Sequence, residues 1–256
     1  MPTTDHPLEL KSPAEIEAMR RGGRLLRRVM DRVSAMVAPG VSTLDLDREA
    51  ERLIREAGAV PAFKGLYDFP RTLCTSVNEE VVHGIPSARR VLREGDIVSI
   101  DCGVRLDGFF ADMAVTAPVG QVSEAARRLL DVTQKSLAAG IQSLGRGARL
   151  GDLGAAIQEV VEKGGFHVIR DYTGHGIGRN LHEKPSLFNH GERGTGKRLR
   201  PGTVLAIEPM VGMGTGYTQQ LDDGWTVVTL DRSLAAHYEH TVALTENGPR
   251  ILTETE

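Results

Sequence analysis

Asp101 and Asp112 stand eleven residues apart on either side of a turn signal, and His175, Glu208 and Glu239 follow further along the chain. Carboxylates with an imidazole are donors that divalent cations take up readily. Their chemistry depends on whether the chain brings them together. Ile97 to Val104 is apolar and β-prone, Leu106-Asp107-Gly108 supplies a turn, and Phe109 to Thr116 returns as a second strand. With a two-residue loop, Asp101 sits opposite Asp112 or diagonal to it, and the strand period of two puts both side chains on one face. Two like charges so close require protons or cations. With Glu208 and Glu239 ionised, the set carries four negative charges, which two divalent metal ions neutralise. Mixed oxygen and nitrogen donors of this kind suit Co, Mn, Fe or Zn, and affinity order alone does not choose among them.

The stretch Gly174 to Pro185 reads GHGIGRNLHEKP, with His175 and His182 seven residues apart. Its glycines argue against a helix, so a loop or irregular strand has to deliver the two imidazoles, one to metal and one to substrate. His6, His167 and His190 have no such context and read as surface or structural residues. Leu205-Ala206-Ile207-Glu208-Pro209 puts a carboxylate at the end of an apolar strand, and Tyr238-Glu239-His240-Thr241 repeats that pattern in the last β-prone segment.

The elements that must position these groups are legible in outline. Ser12-Pro13-Ala14-Glu15 is a capping box, and Ile16, Met19, Leu26, Met30, Val33 and Val37 recur at helical spacing up to Pro39-Gly40. Ser42 or Thr43 caps a second helix that Gly58 ends, followed by β-prone runs at Leu73 to Val77 and Val81 to His83. After the hairpin, Ser123 starts a helix closed near Gly145, and Asp152 starts another that runs to Gly164-Gly165. Glycine-rich loops and strands complete the chain. The order, two helices and then strands, occurs twice, which predicts an α+β single domain of two related halves facing one another across a shared site.

Composition sets the remaining bounds. The 256 residues are 40% hydrophobic, enough for a sizeable core, and the formal net charge of −3 is close to neutral, so nothing global argues for nucleic acid as a partner. The run Arg20 to Arg28 reads as the solvated side of a helix. Two cysteines, Cys74 and Cys102, make no disulfide framework and fit a reducing compartment. The first ten residues read as a flexible tail without a secretory signal, and no stretch of about eighteen apolar residues occurs, so the expectation is a cytoplasmic protein away from membranes. No coiled-coil pattern is visible, which makes a monomer the default.

Several blocks together carry a family resemblance: Cys74-Thr75-Ser76-Val77-Asn78-Glu79, His83-Gly84-Ile85-Pro86, the spaced Asp101 and Asp112, GHGIGRNLHE, AIEPM, and DGWTVVTLDRS followed by EHT. From about Lys11 to Thr253 the chain resembles the type I methionine aminopeptidases, members of the pita-bread metallohydrolases. The resemblance implies two pseudo-symmetric halves with antiparallel sheet and outer helices. It also implies that Asp101 binds one metal, that Asp112 and Glu239 bridge both, and that His175 and Glu208 complete the other site. A water activated to hydroxide by two metals would then attack the peptide bond after an initiator methionine. Glu208 would shuttle the proton, while His83 and His182 would hydrogen-bond the substrate amide and the oxyanion. The substrate class implied is the N-terminal Met of nascent peptides, with a small second residue. Any ribosome contact would use the catalytic-domain surface, since only about ten residues precede the first helix.

Phe63, Phe69, Cys74 and Trp225 match the positions such enzymes use for the methionine side chain, which gains from aromatic and aliphatic contact. The chain departs from the pattern at Leu66, where Tyr is expected, at Leu181, where Phe is expected, and at His237, where Gln is expected. These changes bear on pocket shape and leave the metal ligands unaffected. Aminopeptidase P and prolidase share the fold and a form of the GHGIG block, but they usually carry a further N-terminal domain. A non-catalytic binding protein of the same fold would be marked by lost ligands, and all five are present here.

Overall fold

Two helices followed by strands is the order expected of each half, and the computed structural model, which describes residues 8–255, has that order. The first half comprises α1 (Pro13–Ser34), α2 (Thr43–Glu56), β1 (Val60–Pro61), β2 (Leu73–Val77), β3 (Glu80–Val82), β4 (Ile97–Leu106) and β5 (Phe109–Pro118). In the second half α3 (Glu124–Gln142) and α4 (Leu150–Lys163) precede β6 (His167–Val168), β7 (Gly174–Gly176), β8 (Glu183–Leu187), β9 (Val204–Ile207) and β10 (Met210–Gly212). The chain then completes β11 (Thr218–Gln220), β12 (Val227–Thr229), β13 (Ala235–His237), β14 (His240–Thr245) and β15 (Gly248–Ile251). Of the expected N-terminal tail, residues 1–7 and with them His6 lie outside the described residues, while Leu8 packs against the second-half core.

The caps explain where the helices begin. Ser12 and Glu15 form the capping box of α1, Ser42 and Asp45 that of α2, and the Ser123 hydroxyl accepts the Ala126 N–H at the start of α3. Two boundaries differ from the sequence expectation. α1 ends at Ser34 rather than near Pro39, because Met36 and Val37 make tighter turns back to Val33 and Ser34. α4 begins at Leu150, and Asp152 serves one turn inside it by accepting the Arg149 N–H at 2.7 Å rather than as the first cap. The arginines of α1 lie as expected, with Arg21 and Arg28 exposed and Arg27 paired to Asp31 on the next turn.

β4 and β5 form the predicted hairpin, with Leu106 opposite Phe109 and both turn residues, Asp107 and Gly108, at positive φ. In this register Gly103 is opposite Asp112 and Asp101 is opposite Ala114, so the two aspartates are diagonal neighbours on one face. β2 and β1 pair with the other edge of β4, and the second half contributes a five-stranded sheet in the order β15-β14-β9-β7-β8. Each half has its own apolar core, one around Leu26, Leu46, Ile54 and Val104, the other around Leu129, Ile157, Leu205 and Val242. A third cluster, including Met19, Phe69, Cys74, Ile177 and Ala206, joins them under the site.

The halves meet along β5. The Thr116 hydroxyl accepts the His237 N–H and donates to the His237 carbonyl, both at 2.8 Å. Two residues further along each side, Glu239 N–H donates to the Ala114 carbonyl at 2.9 Å. Another two residues on, the Thr241 hydroxyl accepts the Asp112 N–H at 2.9 Å and donates to the Asp112 carbonyl at 2.8 Å. Each half thus contributes one threonine that clamps a backbone residue of the other. The seam carries Glu239 at its centre and Asp112 at one end.

Candidate metal centre and its cleft

A cleft of about 560 Å³ opens above this seam, and the eleven site residues expected from sequence all line it. At its floor Asp101 comes from β4, Asp112 from β5 and His175 from β7, while Glu208 follows the end of β9 and Glu239 lies between β13 and β14. One ligand atom each from Asp112, His175 and Glu239 falls within 4.8 Å of the others. Glu208 Oε1 lies 3.5 Å from His175 Nε2. The glycines around His175 are required by close packing. β7 sits between β8 and β9, and a Cβ on Gly174 or Gly176 would overlap the carbonyl of Ala206 or Lys184.

Burial dominates the electrostatics. It raises Asp101, Glu208 and Glu239 well above the usual carboxylate range, with the charge of Asp112 adding at all three, Asp101 adding at both glutamates and Glu208 adding at Glu239, and it raises Asp112 to about 7 against the opposing Met113 N–H. The same desolvation lowers His175 to about 4, helped by His182 nearby, so the imidazole is neutral and its contact with Glu208 is not an ion pair. Asp101 Oδ1 and Glu239 Oε1 are buried without a hydrogen-bond partner. Four crowded acids with unsatisfied oxygens beside a neutral imidazole fit divalent cations, which would offset the repulsion and supply the missing partners.

The wall carries the other expected residues. Trp225 lies in the turn between β11 and β12, where the Asp223 carboxylate accepts the N–H groups of Trp225 and Thr226. Its ring meets Phe69 edge-on at 5.0 Å and His83 at 6.4 Å. Phe63 and Cys74 complete the apolar surface, joined by Leu66 and Leu181. His83 has a positive φ of 62°, uncommon for a residue other than glycine, and burial lowers its pKa to about 4. Gly84 beside it packs so closely on the Thr75 carbonyl that a side chain would collide. His182 lies just before β8, its ring 4.5 Å from that of His175, and desolvation lowers its pKa as well. The irregular β7–β8 pairing, which shifts register after His175, is what brings the two histidines together. His167 is exposed and His190 stacks near Phe188, both away from the cleft lining.

Sequence reasoning missed Tyr172 and Met210 in the lining; the His83 ring packs edge-on to Tyr172 at 5.8 Å. It also misplaced His237. Of the three departures from the family pattern, Leu66 and Leu181 do line the cleft, but His237 does not. It is 1% exposed, and its Nε2 lies 3.7 Å from Glu208 Oε2, so this change bears on a candidate ligand and not on the pocket wall. The Tyr238-Glu239-His240 context offered no signal of that contact.

Comparison with known proteins agrees with this geometry. Residues 17–246 match the model for metallopeptidase family M24. A methionine aminopeptidase of Clostridium acetobutylicum is 50% identical over 247 residues, covering 96% of this chain and 99% of that relative. The crystal structure of a methionine aminopeptidase from Thermotoga maritima superposes with a TM-score of 0.96 at 44% identity, covering 97% of this chain and 100% of the other. A prolidase from Pyrococcus furiosus, at 23% identity and a TM-score of 0.75, covers 96% of this chain and 66% of its own length and shares the pita-bread fold. This chain therefore belongs to metallopeptidase family M24 and, within it, to the methionine aminopeptidases.

Proposed function

We propose that the protein removes the initiator methionine from new polypeptides by hydrolysing the first peptide bond, with a small second residue preferred. The observation that carries the reading is one cleft with two surfaces, an acidic floor with unpartnered buried oxygens and an apolar, sulfur- and aromatic-lined wall beside it. Asp101, Asp112, His175, Glu208 and Glu239 would hold two divalent metal ions drawn from Co, Mn, Fe or Zn. When bound, these supply Lewis acidity and lower the pKa of water.

The chain's own residues do the rest. Phe63, Phe69, Cys74 and Trp225 receive the thioether side chain and exclude water from it. His83 and His182, neutral at pH 7, donate N–H groups to the substrate amide and to the oxyanion that develops on the scissile carbonyl. Glu208 accepts the proton of the attacking water and returns it to the leaving amine. The enzyme acts in this reading as a cytoplasmic monomer on nascent chains. No helix among the described residues is long and apolar enough to cross a membrane.

The test is mass-spectrometric product analysis of metal-stripped protein given Met-Ala-Ser and Ala-Pro-Ala with Mn, Fe, Co or Zn restored singly. Free methionine from the first peptide alone, and only with metal, is the expected result. Cleavage of the proline peptide alone would move the protein to the aminopeptidase P class, and no cleavage with any metal would make it a binding protein of this fold.

A further inference from the structure

Both ring nitrogens of His237 are buried without a hydrogen-bond partner, and the residue is only 1% exposed. Its backbone cannot drift to relieve this, because Thr116 holds both the N–H and the carbonyl at 2.8 Å. Ser99 Oγ lies 2.8 Å from Thr116 Oγ1. Since the Thr116 proton is already given to His237, Ser99 is the donor there and the clamp is itself braced. The ring is thus delivered to one place, with its Nε2 3.7 Å from Glu208 Oε2.

Glu208 is framed on two sides. Its Oε1 faces His175 Nε2 at 3.5 Å, in the cleft, and its Oε2 faces His237, which does not line the cleft. Asn189 Nδ2 donates to the Glu208 carbonyl at 3.0 Å and fixes the main chain at that point. A buried imidazole is costly unless some state of the protein gives its N–H an acceptor, and Oε2 is the acceptor it faces. We infer that His237 is a positioning residue for Glu208: in the metal-bound protein its Nε2–H donates to Oε2 and so leaves Oε1 to share a metal with His175. Donation from Nε2 selects the tautomer whose Nδ1 is unprotonated. The inference rests on the reading of Glu208 as a metal ligand. It gives a role to the position where the family pattern led us to expect glutamine, a side chain that also ends in an N–H donor.

Partners that orient a ligand typically contribute 10–100-fold to metal affinity or activity. The experiment compares metal-stripped wild type, His237→Gln and His237→Leu by calorimetric titration with Co(II), by the visible absorption bands of the Co(II) forms, and by kcat and KM on Met-Ala-Ser. His237→Leu is expected to bind Co(II) about 10–100-fold more weakly, with shifted bands and a loss concentrated in kcat. His237→Gln, which keeps an N–H, is expected to stay within about threefold of wild type and to restore the bands. Metal-free His237→Leu should melt no lower than wild type, since it loses an unpaired buried polar group. Wild-type Co(II) affinity and bands in His237→Leu would overturn the inference, as would a His237→Gln protein impaired to the same degree as His237→Leu. Should His237→Leu not fold, His237→Met makes the same comparison. Failure of the wild type itself to bind Co(II) would overturn the underlying reading of the site instead.

Discussion

The floor of the cleft and its wall are made from different parts of the chain. Asp101, Asp112 and His175 stand on strands, Glu208 directly follows one, and Glu239 is held between two by its N–H bond to Ala114. The wall hangs largely from connections: Phe63 and Phe69 bracket a short 3-10 turn whose Tyr67 and Asp68 have positive φ, and Trp225 tips the β11–β12 turn. A ladder with a threonine clamp at each end over-determines the floor, while single turns set the wall. Charge demands that difference, because like charges misplaced by an ångström lose their shared cation, whereas an apolar wall tolerates a changed side chain at modest cost. Two of this chain's departures from its family pattern, Leu66 and Leu181, accordingly lie in the wall.

If the floor works as a unit, Asp112→Asn should have the largest effect. We expect kcat/KM to fall at least about 10³-fold, beyond the loss of a single transition-state donor, with weaker calorimetric metal binding. A Asp112→Asn protein with near wild-type activity would break the comparison. His182→Ala, between floor and wall, should lower kcat about 10²-fold while leaving metal affinity unchanged, if the residue donates to substrate as proposed. On the wall, Trp225→Ala should mainly raise KM for methionyl peptides, by about 10-fold, with the metal-bound state intact by thermal melting.

A smaller effect separates floor from wall by pH. The floor carboxyls are raised in the metal-free protein, Asp112 to about 7 from an ordinary 3.8. Between those values the native state holds more protons than the unfolded chain, so the contribution of this group to metal-free stability is full below 3.8 and is lost as pH rises through 7. Cations require the deprotonated floor. The gain in melting temperature on adding Mn(II) should therefore grow from pH 5 to pH 8, and calorimetry in two buffers near pH 6 should show proton release. A gain that shrinks over this range would contradict the burial argument.

Much of this contrast was legible in the sequence, and the reasons are local. The Asp107-Gly108 turn fixed the hairpin register and so put Asp101 and Asp112 on one face as diagonal neighbours, and the capping boxes at Ser12 and Ser42 marked two helix starts. The α4 start was shifted because Arg149 is not a capping side chain and the visible signal, Asp152, sits one turn inside. The threonine clamps were not legible, since Asp112 and Thr241, like Thr116 and His237, meet only when the halves close. For the same reason His237 read as a pocket residue: family pattern gave its position, but only the closed seam turns its ring toward Glu208.

The most direct test of the whole account is anomalous diffraction from a crystal of the metal-stripped protein soaked in Mn(II). The account predicts two anomalous peaks, about 3.5–4 Å apart, enclosed by Asp101, Asp112, His175, Glu208 and Glu239. A protein that cleaves Met-Ala-Ser in Mn(II) yet shows no peak among those five residues would contradict it.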